Sequence, residues 1–591
     1  MSPHVGLVVE GTAHVKGKAC GTLIASDLEL SFWGGVNPQT GEIIDRHHDL
    51  SGYHLQDTVL AIPSGRGSCS GSGVMLELLL NKKGPRAILF ERQEDILTLG
   101  VLVSEEIFGK TIPVVVLKPK DFRAMLRMKG NAIYVDSHRV SDRVFSDTRT
   151  ELQKEPNGGS FAEDVQLSNF DKELLQGLHG EASRIAIRIV LRMAGLLGAH
   201  ELMNVTQVHV DGCVYTGSGS LQFAEKLRDW GGKVRVPTTL NSISIDQERW
   251  RDQGVDSSFG EAAAKLAKAY TDMGSKPTFT CAPYQLQSAP RKGEQVAWAE
   301  SNAVVYANSV LGARTMKYPD YLDICIALTG RAPKAGPHVD INRMASLIVT
   351  VDLQDVEGID DSFFPILGYH VGSIAANRIP VVIGLQNLAP SKDDLKAFGA
   401  AFATVSSAPM FHMLGVTPEA ALLSNIMDET HQVPSVAVRM EDLIEPWQKL
   451  NSAHEHQSID LVSLGNPHFS IKEIKTLALL CEGLAKSQDV SIVVTCGRSS
   501  YSLASQAGWV EQLENFGVEF ITDTCWCMIT KPTILTTENA IMTNSGKYAH
   551  YGPGLTGRKF FFGSLMQCVE AACRGTYAKE MPQWLLNTSG R

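Results

Sequence analysis

Apolar positions along the chain fall into two textures. Up to about residue 135 they come as short β-rich runs: Val5 to Val9, Thr22 to Ala25, Thr58 to Ile62, Ala87 to Phe90, Val114 to Leu117 and Ala132 to Val135, parted by Gly, Pro and Asn turns. Helical spacing intervenes around Val74 to Leu80 and Glu94 to Val103. This pattern predicts a compact, β-dominated α/β domain over residues 1–135. Residues 136–165 are polar with little apolar periodicity, and predict a linker centred on Pro156 to Ser160. From 166 to 591 the pattern changes to strands alternating with helices. Asp171 to Gly198 reads as a helix, Val205 to Val210 as a strand, Ser218 to Trp230 as a helix stopped by Gly231-Gly232, and Lys233 to Val236 as another strand. Leu347 to Val351, Val381 to Gly384, Ile459 to Leu464, Ser491 to Thr495 and Val518 to Ile521 read as buried strands. Helices follow several of them, at Lys392 to Phe402 and at Ile471 to Ala485, the latter opened by the capping box Ser470-x-x-Glu473. Such alternation predicts parallel α/β sheets covered on both faces.

Composition narrows the class. A chain of 591 residues is too long for one core, and at about 150 residues per unit it predicts roughly four structural units. Lys and Arg number 54 against 64 Asp and Glu, a formal charge of −10 with no long basic run, which argues against nucleic acid and anionic membranes as partners. The longest apolar candidate for a membrane span, Ile185 to Ala199, is interrupted by Arg188 and Arg192. The start, Met-Ser-Pro-His, lacks a signal pattern. Eleven cysteines scattered without a tight framework fit a reducing compartment, and the expectation is a cytoplasmic protein whose thiols are buried, catalytic or metal-bound.

Candidate chemistry begins at Gly65-Arg66-Gly67-Ser68-Cys69-Ser70-Gly71-Ser72-Gly73, a loop whose backbone can be approached closely. Backbone N–H groups ahead of a helix favour negative charge, and Arg66 adds a fixed cation, so a hydroxyl at Ser68 would sit in a positive field. The loop lacks the Gly-Lys-Ser/Thr ending of a phosphate-cradling loop, which argues against a nucleotide site. Polar residues gather where predicted strands end: Asp211-Gly212-Cys213, Gly465-Asn466-Pro467-His468, Thr495-Cys496-Gly497-Arg498 and Asp523-Thr524-Cys525-Trp526-Cys527. In open α/β sheets such ends face the ligand. Cys525 and Cys527 form a C-x-C pair and Cys281 stands in Thr-Cys-Ala-Pro-Tyr; these thiols read either as soft metal ligands or as ordinary buried cysteines. Cys69, in the glycine loop, is a second candidate nucleophile.

Together with Pro237 to Asn241, Thr280 to Gln285, Ala299 to Ala303, Asn308 to Thr315 and Asn544 to Tyr551, these motifs resemble aconitase X, a divergent branch of the aconitase superfamily, over essentially the whole chain. The resemblance implies an α/β fold in which residues 1–135 form a small swivelling domain, joined by the 136–165 linker to a large aconitase-like catalytic part, 166–591. It implies dehydration of a hydroxy acid at an iron centre, with Ser68 as the base and with Arg66, Gly212, Cys213, Val214, Asn241 and Lys547 holding the substrate. Relatives with three ligand cysteines carry Leu-Gly-Cys-Pro-His where this chain has Leu464-Gly465-Asn466-Pro467-His468. The expected ligand set is therefore Cys281, Cys525 and Cys527 around an iron–sulfur cluster of the 2Fe-2S type, with mononuclear iron or a 4Fe-4S cluster as alternatives. The fused layout resembles the family branch acting on cis-3-hydroxy-L-proline. Phosphomevalonate or another hydroxy acid, and a non-catalytic iron-binding regulator, are the competing expectations.

Overall fold

The β-rich runs of the first texture assemble into one eight-stranded mixed sheet. Its strands are β1 (Val8–Glu10), β2 (Thr12–Val15), β3 (Lys18–Ala25), β4 (Thr58–Ile62), β5 (Ala87–Phe90), β6 (Val114–Val116), β7 (Ala132–Asp136) and β8 (Arg139–Ser141), in the spatial order β1-β8-β7-β3-β4-β5-β6-β2. The central strands β3 to β6 run parallel, so each step needs a crossover. Helix α1 (Gly71–Leu80) supplies it between β4 and β5, and α2 (Ile96–Phe108) between β5 and β6. The glycine loop thus lies at the carboxyl end of β4. Leu23, Val59, Leu89, Val115 and Phe122 form the core beneath the sheet.

This computed structural model describes residues 7–145, 164–353, 358–427, 432–529, 533–535 and 537–586. The predicted linker centre, Pro156 to Ser160, lies outside the described residues. The chain divides into two units: Met1–Thr238 with Asp272–Gly274 and Tyr318–Ala335, and Thr239–Thr271 with Ser275–Lys317 and Gly336–Arg591.

Within the first unit, the sheet's helices pack on helices from beyond residue 164. Arg192 on Glu181–Leu196 reaches Glu105 and Glu106 of α2 at 2.6 and 3.0 Å, and Arg188 reaches Glu106 at 2.9 Å. The buried Glu77 of α1 accepts a hydrogen bond from Gly219 N at 2.6 Å, at the start of helix Ser218–Asp229. The helix expected over Asp171 to Gly198 is two helices, Asn169–Leu175 and Glu181–Leu196, because Gly177 and Gly180 adopt positive φ between them. Lys233 to Val236 is not a strand: those residues lack ladder pairing, and the strand begins at Thr238.

In the second unit, Leu347–Val351, Pro380–Ile383, His412–Met413 and Ser435–Val438 pair as a parallel sheet. A larger sheet has the order Val518–Thr522, Ser491–Cys496, His456–Phe469, Ala540–Thr543, Phe560–Phe562, all parallel, with Thr576–Ala578 added antiparallel at the start of the long strand. The chain begins in the middle at His456–Phe469, builds to one side, and returns to build to the other. That reversal is a topological switch point, where open sheets bind ligands beyond the strands' carboxyl ends. Residues 465–468, expected as a loop after a strand, belong to the long strand but bulge from its ladder: Leu464 pairs with Val494 and pairing resumes only at Phe469 with Cys496. The capping box of Ser470 and Glu473 forms as expected and starts helix Ile471–Cys481. Among the described residues no helix is long and apolar enough to cross a membrane, and no two cysteines are joined by a disulfide.

Candidate functional site

Beyond the carboxyl edge of the larger sheet, the second unit gathers five of the expected residues. Cys525 and Cys527 follow strand Val518–Thr522, and their thiols hydrogen-bond to each other. The pairing, with the nearby Lys547 cation, lowers the Cys525 thiol to about 7 against the opposing effect of burial, while Cys527 is pushed well up. Cys281 is buried, and its Sγ accepts from the His468 backbone N–H at 3.3 Å. The His468 ring is held at both nitrogens: Nε2 donates to the Thr524 carbonyl at 2.7 Å, which leaves Nδ1 to accept from the Thr280 hydroxyl at 3.0 Å. One histidine therefore ties together the three chain segments that carry the thiols and the bulge. Burial lowers it to about 4, so it is neutral.

Lys547 stands in the first turn of helix Gly546–Thr556, which Ser545 caps by accepting from Tyr548 N. Its ammonium donates to Glu300 Oε1 at 2.9 Å, with both side chains buried. Glu300 also accepts from Asn241 Nδ2 at 3.2 Å and from Asn302 Nδ2 at 2.6 Å, and Lys547 and these donors outweigh burial to hold it well below the carboxylate range. The buried Lys547 cation favours the thiolate of each thiol, but burial outweighs it at Cys281, and the Cys525 pairing with burial does so at Cys527, so Cys525 alone is drawn down toward the form that binds metal. Asn466, in the bulge, donates from Nδ2 to Cys527 Sγ at 3.5 Å, while its Oδ1 is buried without a hydrogen-bond partner. A soft donor set with an orphaned oxygen beside it fits an iron–sulfur centre. Among the described residues no three Cys, His, Asp or Glu side chains are grouped to hold one ion. The thiols stand instead as a pair plus a third.

The first unit carries the other expected residues. Ser68 is 7% exposed, and its Oγ lies 3.3 Å from Ser70 Oγ and accepts from Ser70 N at 3.3 Å. Gly67, at φ 82°, makes the turn that presents it. Arg66 does not leave its charge open to the serine: it donates to Asp45 Oδ2 at 2.9 Å and to the Glu29 carbonyl at 3.0 Å. Gly212, Cys213 and Val214 follow strand Val208–Val210. Asp323 holds that turn, accepting from Asp211 N at 2.7 Å, Gly212 N at 3.3 Å and Tyr321 N at 3.0 Å. Cys213 is pushed well above the thiol range by burial and by Asp211. Sequence reasoning assigned no role to Glu300, His468, Asp320 or Asp323. Glu300 and His468 stood inside quoted motifs, whereas the two aspartates carried no signal of their own.

The chain matches the family models for the aconitase X swivel domain over residues 8–141, first domain over 164–341, second domain over 345–448 and third domain over 459–574. It is 61% identical to a cis-3-hydroxy-L-proline dehydratase of Hypocrea jecorina, over 98% of this chain and 97% of that protein. A protein of the same description from Pseudomonas aeruginosa is 49% identical, over 98% of this chain and 99% of the relative. The phosphomevalonate dehydratase large subunit of Methanocaldococcus jannaschii is 31% identical over 69% of this chain and 100% of that subunit. Among solved structures, Thermococcus kodakaraensis aconitase X in its holo-form superposes with a TM-score of 0.62 at 29% identity, covering 69% of this chain and all of that one.

Proposed function

Because the chain belongs to the aconitase X family, we propose that it is a hydro-lyase that dehydrates cis-3-hydroxy-L-proline to Δ1-pyrroline-2-carboxylate. The observation that carries this reading is full-length kinship to two dehydratases described for that substrate. The phosphomevalonate enzymes are more distant, and that alternative is disfavoured.

The site roles are part of the proposal. Ser68 removes the α-proton, and the Ser70 N–H directed at its Oγ holds that oxygen in place. Cys281, Cys525 and Cys527 hold the iron–sulfur cluster, read as the 2Fe-2S type. When bound, such a centre supplies a Lewis-acidic iron that makes a hydroxyl a better leaving group. Arg66, Gly212, Cys213, Val214, Asn241 and Lys547 are the substrate-holding residues of this reading. Lys547 and Arg66 are each already on a carboxylate, Glu300 and Asp45, so a substrate carboxylate must share or displace that partner. A cytoplasmic location and a small-molecule substrate without a nucleic-acid partner complete the reading, in keeping with the net charge of −10.

The test is to purify the protein without air, determine iron and acid-labile sulfide, and assay cis-3-hydroxy-L-proline for the pyrroline product. Turnover with about two irons and two sulfides per chain is expected. Iron without turnover would move the substrate to another hydroxy acid, and absence of iron would overturn the cysteine assignment.

A further inference from the structure

A serine hydroxyl is a poor base unless something stabilises its alkoxide or takes its proton as it reacts. The cation expected to do the first, Arg66, is already matched by Asp45 at 2.9 Å. Behind Ser68, however, the hydrogen bonds run in one direction. The Ser68 hydroxyl donates to Ser70 Oγ at 3.3 Å, and the Ser70 hydroxyl donates to Asp211 Oδ2 at 3.5 Å. Asp211 shares a hydrogen bond with Asp320, whose carboxyl is also within reach of Ser70. Asp320 is tied to the serine loop by its own backbone, N–H donating to the Cys69 carbonyl at 3.3 Å. Ser70, Asp211 and Asp320 are 4%, 1% and 3% exposed, and Asp320 Oδ1 has no hydrogen-bond partner. Burial and the neighbouring Asp211 and Asp323 push Asp320 well above the carboxylate range, toward the protonated form that can donate to Asp211. Buried carboxyl pairs of this kind are costly and are found where protons are handled.

We propose that Ser70 and the Asp211–Asp320 pair are the proton acceptor behind Ser68, acting through it on the dehydration. The inference rests on the reading of Ser68 as the base. As the Cα–H bond breaks, Ser68 Oγ gains that proton, passes its own to Ser70 Oγ, and Ser70 passes its own to the Asp211 carboxylate. Three bonds to hydrogen break and three form. The Cα–H electron pair enters the new ring double bond, and the 3-hydroxyl leaves with its bonding pair, so the negative charge moves from Asp211 to the departing hydroxide. Long bonds of 3.3 and 3.5 Å in the absence of substrate are ordinary for catalytic groups, which tighten in the complex.

The test compares Ser70→Ala, Ser70→Thr, Asp320→Asn and Ser68→Ala in the iron-loaded enzyme, with cis-3-hydroxy-L-proline and its α-deuterated form. Ser70→Ala should lower kcat by about tenfold or more, leave KM within about twofold and show a full primary isotope effect on kcat, with Ser70→Thr recovering most of the rate. Asp320→Asn, which keeps an uncharged donor to Asp211, should retain most of the parent rate; if it fails to fold, the Ser70 pair decides alone. A kcat for Ser70→Ala within about fivefold of the parent, or a slower enzyme without an isotope effect, overturns the relay. A dead Ser68→Ala beside an unimpaired Ser70→Ala sinks the relay and spares the base. An active Ser68→Ala removes both.

Discussion

Ser68 and Cys527 make opposite demands on a variant, and the contrast separates their roles. The Ser68 hydroxyl hydrogen-bonds to Ser70 of its own loop, so Ser68→Ala should abolish turnover, a loss of about a hundredfold or more, while iron content and visible absorbance stay at the parent level. Cys527 is hydrogen-bonded to Cys525 and to Asn466, and Cys527→Ser should lose iron and colour together with activity. Absorbance lost in the serine variant would make Ser68 structural; iron retained in the cysteine variant would hand its ligand position to Asn466 or to water. The thiols were legible in the sequence because C-x-C and Thr-Cys-Ala-Pro-Tyr are compact motifs. Glu300 was legible only as a letter in a motif, since its role depends on Lys547, far away in sequence, and no spacing rule joins 300 to 547. Arg66 was read as a free cation because Asp45 lies 21 residues upstream in a stretch with no periodic signal.

At the scale of elements, the bulge at 465–468 is the feature on which the thiol site turns. Gly465 has φ 96°, and a Cβ there would collide with the Thr495 carbonyl of the neighbouring strand. Gly465→Ala should therefore destabilise the protein by about 2–4 kcal/mol, read as a lower urea midpoint, and should reduce iron loading at the same time. An alanine variant with the parent's midpoint would mean that the strand accommodates the bulge in another way. Apolar runs revealed six of the eight strands of the first sheet and several strands of the second unit's sheets, because buried parallel strands are continuous stretches of Val, Ile and Leu. They missed the short strands at His412–Met413, Ser435–Val438, Ala540–Thr543, Phe560–Phe562 and Thr576–Ala578. They placed the end of the long strand too early at Leu464, since polar residues that bulge out of a ladder look, in sequence, like a loop. They also made a strand of Lys233 to Val236, whose alternation has no ladder to join.

For the whole chain, the informative fact is that the swivel-like sheet is bound into the first unit by helix contacts as well as by the polypeptide. Glu77 on Gly219, and Arg188 and Arg192 on Glu105 and Glu106, join α1 and α2 to helices beyond residue 164. Co-expressed as separate pieces 1–145 and 164–591, the two should co-purify through a tag on either one, and Glu106→Lys should weaken that association by placing like charges together. Pieces that separate at moderate salt would show that the covalent connection alone keeps them together. The division of the chain into two textures was plain from the sequence. The unit boundary in space was not, because contacts among helices distant in sequence leave no mark on local periodicity. The bulge has a last consequence. The ladder is complete at Leu464 and again at Phe469, so its hydrogen bonds take no account of which side chain occupies 466. Ligand number at this centre can drift during evolution without remaking the sheet, and a lineage can exchange a thiolate for an amide, and one cluster for another, on an unaltered scaffold.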